Sequence, residues 1–158
     1  MGGEAGGLAV MKYIGTQREH DAIEWAKNVL NIEGPTGFCR ALSAVDDAGE
    51  FVFVVVLSNF TETNVDMHTA ARPGAQWATP RSALEMFRGV FGYAFDHFQV
   101  QRVTGLVRAK NTAARHFDEH IGFQLEGVMR RAFKDDDLCV YGFLREDYDQ
   151  HKWNCRSK

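Results

Sequence analysis

The chain has 158 residues, 45% of them hydrophobic, with 18 Lys and Arg against 21 Asp and Glu, for a formal net charge of −3. That length suffices for one core without disulfides or a structural metal. Charges of both signs are interspersed, so no basic face is set out for DNA or RNA and nucleic acid is not an expected partner. No membrane span is expected either, because the longest apolar run, Phe51 to Leu57, is only a strand's length.

Residues 1–10 are Gly-rich, without the basic start and apolar middle of a secretion signal, and are expected to be a flexible N-terminus. Cys39, Cys139 and Cys155 are odd in number and widely spaced, which fits a reducing, cytoplasmic compartment. Residues 11–148 read as a single domain and 149–158 as a C-terminal tail.

A short strand is predicted at Met11 to Ile14. Ala22, Trp25, Ala26, Val29 and Leu30 then recur at helical spacing, and Asn31 to Gly37, with Pro35, ends that helix. Phe38 to Val45 and Phe51 to Leu57 flank a polar Asp46-Asp47-Ala48-Gly49 turn and read as an antiparallel pair. The second of these strands is apolar on both faces, which predicts a central place in a sheet covered on both sides.

Asn64 to Ala70 gives a further strand. The strongest helix follows, with Ala83, Leu84, Phe87, Val90, Phe91, Ala94, Phe95 and Phe98 on one stripe, Thr79 as N-cap and Pro80 at the first helical position. Arg102 to Val107 reads as a strand. Asn111 to His120 reads as a short helix with Ala113, Ala114 and Phe117 inward, stopped by a left-handed Gly122. Phe123 to Phe133 and Leu138 to Leu144 are predicted as two last strands around the charged turn Lys134 to Asp137. This order predicts an α/β (α+β) fold with a mixed, mostly antiparallel twisted sheet and helices on both faces.

Arg102-Val-Thr-Gly-Leu-Val107, Asn111, Ile121-Gly122-Phe123 and Glu126-Gly127-Val128-Met129-Arg130 together resemble the second half of the GNAT acetyltransferases. The resemblance is closest to the branch acting on ribosomal-protein N-termini. Asn111 lies eleven residues before Gly122, and Glu85 and Tyr93-Ala94-Phe95 extend the likeness upstream, so that it spans Asn64 to Leu144. It implies a microbial or phage enzyme that moves an acetyl group from acetyl-CoA to a primary amine, small-molecule or peptide, by direct attack. Pairing as a homodimer is common in that family.

The resemblance also assigns residues. The cofactor pyrophosphate would meet the free amides of Arg81, Ser82 and Ala83, where a helix N-terminus offers N–H donors and partial positive charge. Asn111 and Phe117 would face the cofactor as well. The family's phosphate loop falls on Ala78, Arg81 and Ala83, of which only Ala83 conforms, and Arg81 brings a guanidinium where a glycine is usual. The family's general-acid positions read Asp118 and Ala114, neither a copy of the usual residue. Asp66 and His68, on one face of the Asn64 strand, and Glu126, expected on a neighbouring strand, are the candidates for handling the amine proton.

Two other readings compete. The degenerate phosphate loop suits a catalytically inactive binding or structural module of the same fold. His116-Phe117-Asp118-Glu119-His120 spells H-x-x-E-H, which would suit a zinc hydrolase using His116, Glu119 and His120. Asp135 to Asp137 lacks calcium-loop spacing and reads as a turn.

Overall fold

The computed structural model describes residues 11–30, 37–74, 80–151, 153 and 154. The expected flexible segment 1–10, the helix-breaking segment up to Thr36, and the Thr79 cap with Ala78 lie outside the described residues. The elements are β1 (Lys12–Gly15), α1 (Glu19–Leu30), β2 (Cys39–Val45), β3 (Phe51–Ser58), β4 (Asn64–Ala71), α2 (Pro80–Gly92), β5 (Arg102–Arg108), α3 (Thr112–Ile121), β6 (Gln124–Met129), β7 (Leu138–Leu144) and α4 (Arg145–Gln150). Seven strands form one sheet in the order β1-β2-β3-β4-β5-β7-β6. All eight residues of β3 are buried, as its two apolar faces require.

The described residues group into two compact units. In the first (residues 11–30, 40–56, 69–74 and 80–90), β1 pairs antiparallel with β2. Ala22 and Ala26 are buried along α1, Trp25 meets Phe51 at 5.9 Å between ring centroids, and Phe53 meets Phe87 edge-on at 6.3 Å. Asp46 closes the β2–β3 turn by accepting from the Ala48 and Glu50 amides and pairing with Arg72 at 3.0 Å. The Glu50 amide is the largest cause holding the Asp46 carboxyl below its ordinary value.

The second unit (residues 37–39, 57–68, 91–151, 153 and 154) is built on aromatic packing. Phe143 of β7 lies 4.8 Å from Phe91, 5.9 Å from Phe95 and 5.5 Å from Phe123, and Phe95 stacks on Tyr148 at 4.8 Å. The predicted long helix does not stay α-helical to Phe98: α2 stops at Gly92 and a π-helical turn carries Tyr93 to His97. Residues 149 and 150, expected in a tail, belong to α4, and beyond it Trp153 is buried and donates its indole N–H to the Ile121 carbonyl at 2.7 Å.

β5 pairs parallel with β4 on one side and antiparallel with β7 on the other, and β7 pairs with β6. The predicted strand Phe123 to Phe133 shortens to Gln124–Met129, and every residue of it is exposed because it is the edge of the sheet. The predicted inward face of α3 also shifts. Ala113 is exposed, while Asp118 and Ile121 are buried and Ala114 is half-buried. Positions 114, 118 and 121 stand at i, i+4 and i+7, so one face of the helix, over about two turns, carries all three.

Candidate functional site

Four consecutive pairs join β4 to β5, from Asn64↔Arg102 to Met67↔Gly105. His68 and Leu106 are next in register, and the ladder does not include them. β5 nevertheless continues to Arg108, satisfied on its other side by pairing with β7 along its whole length. Its β4-facing edge therefore changes at Gly105 from paired backbone to backbone that must find another partner. Leu106 is 40% exposed at that point.

Alternation puts Asn64, Asp66 and His68 on one face of β4, and the register puts Arg102 and Thr104 on the same face of β5. All of them but His68 form a continuous chain of hydrogen bonds. Asp66 accepts from Asn59 at 2.9 Å and from Asn64 at 3.0 Å; Thr104 donates to the Asn64 side-chain carbonyl at 2.5 Å and accepts from Arg102 at 3.0 Å. Arg102 in turn grips both oxygens of Glu126, at 3.3 and 2.7 Å.

Glu126 was expected on a strand neighbouring that of Asp66, and this is corrected by the strand order: β6 is the edge strand, and β5 and β7 separate it from β4. The side chain reaches inward by two local devices. The β6–β7 register slips between Leu125 and Gly127, so Glu126 occupies a bulge that re-aims it. It then crosses Gly142 of β7, where any side chain would collide with its carboxylate. Both its oxygens meet Arg102, so it ties the edge strand to the ladder while remaining exposed to solvent.

His68, the last of the three candidates, bonds through Nε2 to the buried Ser58 hydroxyl at 3.1 Å. Burial pushes its pKa below the ordinary histidine value, with the Asp66 charge opposing the shift. Burial thus favours the neutral form of the imidazole.

The other face of β5 carries Val103 and Gly105, both buried. Asp118 of α3 lies over it: a Cβ placed on Gly105 would stand 3.0 Å from the Asp118 Oδ2 and 3.7 Å from the Phe123 ring. Asp118 is 5% exposed and is the one buried carboxylate among the described residues. Burial, with a smaller contribution from the neighbouring Glu119 charge, raises its pKa to about 7. Sequence reasoning placed this residue at a general-acid position without assigning it; the signal it lacked was burial.

Arg81, Ser82 and Ala83 form the first turn of α2, which holds no acidic residue. The Arg81 side chain is 87% exposed and pairs with Glu85 one turn on, at 3.4 Å. Asn111 caps α3, its side-chain carbonyl accepting from the Ala114 amide at 3.2 Å, so contact with a ligand would fall to its amide nitrogen. Phe117 is half-buried on α3.

The H-x-x-E-H pattern does not assemble as ligands. His116, Glu119 and His120 are exposed, Glu119 accepts from the Tyr141 hydroxyl at 2.8 Å, and among the described residues no three metal-ligating side chains converge. His116 and Glu119 instead line a shallow cavity of about 210 Å³ with Thr112 and Arg115. No described helix is long and apolar enough to cross a membrane.

The parallel β4–β5 ladder thus ends beside the His68 imidazole, and the buried Asp118 carboxyl lies over the other face of β5. A family model described as an acetyltransferase (GNAT) domain matches residues 7–124. The chain belongs to the GNAT acetyltransferase family and is an acetyl-transferring acyltransferase. Among solved structures it is similar to the spermidine/spermine N-acetyltransferase of Vibrio cholerae, at 15% identity over 88% of this chain and 94% of that one, with a TM-score of 0.67. A dodecameric structure of the spermidine N-acetyltransferase from the same organism matches at 16% identity over 89% and 96% of the chains, TM-score 0.65. A GNAT-family acetyltransferase from Bacillus anthracis matches at 18% identity over 67% and 66%, TM-score 0.55. No curated protein matches this chain significantly.

Proposed function

We propose that this enzyme transfers the acetyl group of acetyl-CoA to a primary amine by direct attack, in the cytoplasm. The observation that carries this reading is the loss of β4–β5 pairing immediately after Met67↔Gly105. Backbone N–H and C=O groups left without a strand partner suit the amides of a pantetheine arm, which can add to the sheet as a strand would. A thioester inserted there would have its carbonyl aligned and polarised by fixed backbone dipoles. The acid-free first turn of α2 suits a pyrophosphate, received by the amides of Arg81, Ser82 and Ala83, and Asn111 and Phe117 are further candidate contacts.

On the acceptor side, neutral His68 takes the proton released by the attacking nitrogen, directly or through one water, and Asp66 stands two residues away on the same face. Glu126 keeps Arg102 and Thr104 in register with Asp66 and acts through them as a positioning residue.

The test has two stages. Acetyl-CoA at about a hundred times its Kd is expected to stabilise the fold by about 2.7 kcal/mol, read as a rise in melting temperature. A panel of spermidine, a peptide with a free N-terminus, lysine and an aminoglycoside, incubated with acetyl-CoA, is then expected to yield one product heavier by an acetyl group. Binding without transfer to any amine would favour the inactive module of the same fold; no binding would overturn the assignment of the cofactor.

A further inference from the structure

We infer, on the acetyl-transfer reading above, that the acceptor carries its primary amine on an apolar body, one positive head with a hydrocarbon tail. The tail lies on an open floor made by Leu106 of β5, Leu138 and Val140 of β7, and Gly127 and Met129 of β6.

Strand alternation sets the floor apart. Val103, Gly105, Cys139, Tyr141 and Phe143 share one face of β5 and β7, and all five are buried. Asp118 of α3 lies over that face at Gly105. The intervening residues belong to the opposite face. There Leu106 pairs with Val140 and Arg108 with Leu138, and the same two β7 residues pair with Gly127 and Met129. A covered face would bury these side chains too, yet Leu106 is 40% exposed, Met129 is 55% exposed, and Leu138 and Val140 are half-buried. Contiguous apolar surface left in water is surface that a ligand's own hydrocarbon can cover.

The floor begins at the proposed reaction centre. Leu106 is next in register to His68, on the face shared by Asp66 and Thr104, immediately past Met67↔Gly105. From Leu106 the row runs through Val140 to Gly127, two strand spacings or about 10 Å. Its far end is open, since a Cβ placed on Gly127 would meet nothing within 4 Å.

Charge sets the class of acceptor. None of the five floor residues is ionisable, and the ions at its borders are already matched. Glu126 pairs with Arg102 at 2.7 Å, while Arg108 stands 3.7 Å over the Phe133 ring and 4.0 Å from Asp135. A second ammonium laid on the floor would give up water with no carboxylate there to receive it, whereas methylenes give up nothing they need. At the near end the position differs. Asp66 is held by the neutral carboxamides of Asn59 and Asn64, so its charge is available to the single ammonium at the head of the acceptor.

Two comparisons with acetyl-CoA test this: butylamine through hexylamine against 1,6-diaminohexane, and a tripeptide beginning with leucine against one beginning with arginine. kcat/KM is expected to rise about threefold per methylene from butylamine to hexylamine. It should fall at least about tenfold from hexylamine to the diamine, and the leucine peptide should outrun the arginine peptide. The faster of hexylamine and the leucine peptide names the source of the acceptor. Gly127→Asp uses the open space to set a carboxylate on the floor. It should lower the hexylamine-to-diamine ratio on the order of tenfold and leave the KM for acetyl-CoA unchanged. A wild type that prefers the diamine or the arginine peptide, or a folded Gly127→Asp variant with the wild-type ratio, overturns the inference and leaves acetyl transfer standing. So does a wild-type dimer that Gly127→Asp dissociates, because a second copy then covers the floor. A wild type that acetylates no amine overturns the functional reading and this inference with it.

Discussion

Asp118 places a thermodynamic cost on the fold. Its pKa rises from 3.8 in the unfolded chain to about 7 in the folded one, so between these values the folded state keeps a proton that the unfolded state releases. Stability therefore falls as pH rises through that window, and the full cost, on the order of 4 kcal/mol at most, is present above pH 7. Asp118→Asn is thus expected to melt at a higher temperature than the wild type at pH 8.5, with the gap closing toward pH 4. His68 acts at the other end. Its folded pKa is depressed, so its own contribution to stability diminishes as pH falls below 6.5, against the gain from Asp118, until the folded imidazole itself takes up a proton. His68→Gln should remove that opposing loss, so that its melting temperature rises more steeply than the wild type's from pH 7 to pH 5; an unchanged slope would show that His68 contributes nothing to it. Neither titration could be read from the sequence, because an Asp and a His in amphipathic segments differ from surface residues only by the packing around them.

Among the elements, glycines mark where one chain segment must approach another. Gly89 lies in the interior of α2, a position where alanine ordinarily favours a helix by up to about 1 kcal/mol. The Tyr13 ring of β1 occupies the space of its missing side chain. Gly89→Ala is accordingly expected to destabilise rather than stabilise, by roughly 1–3 kcal/mol in urea denaturation, as overpacking does. Gly142 plays the corresponding part under Glu126, but there the obstructed group is the end of a flexible side chain. Gly142→Ala should displace Glu126 from Arg102 at a cost of about 1 kcal/mol, and adding Glu126→Gln should cost little more, because both changes break the same contact. Element types and most boundaries were legible in the apolar periodicity of the chain. The π-helical turn at Tyr93 to His97 and the early end of β6 were not, since backbone hydrogen bonding and edge position leave no periodic mark.

At the scale of the molecule, strand order decides which candidate residues can act together. Asp66 and His68 were legible as one face of one strand, and the structure keeps them so. Glu126 joins their ladder from the sheet edge, across β7, an arrangement that depends on a bulge and on Gly142 lying in between. Helix α3 supplies Asp118 from the other face because its inward stripe runs through Ala114, Asp118 and Ile121 rather than through Ala113. By itself the sequence determined the fold class, the succession of helices and strands, the family likeness in Arg102 to Arg130 and the two residues of β4, because each is written in local spacing and residue type. Only the tertiary structure decided that β4–β5 pairing ends at Gly105, that Glu126 pairs with Arg102, and that Asp118 is buried with no counter-charge among the described residues. Those properties come from which segments meet across the sheet and how much water they exclude, and neither is encoded at any single position along the chain.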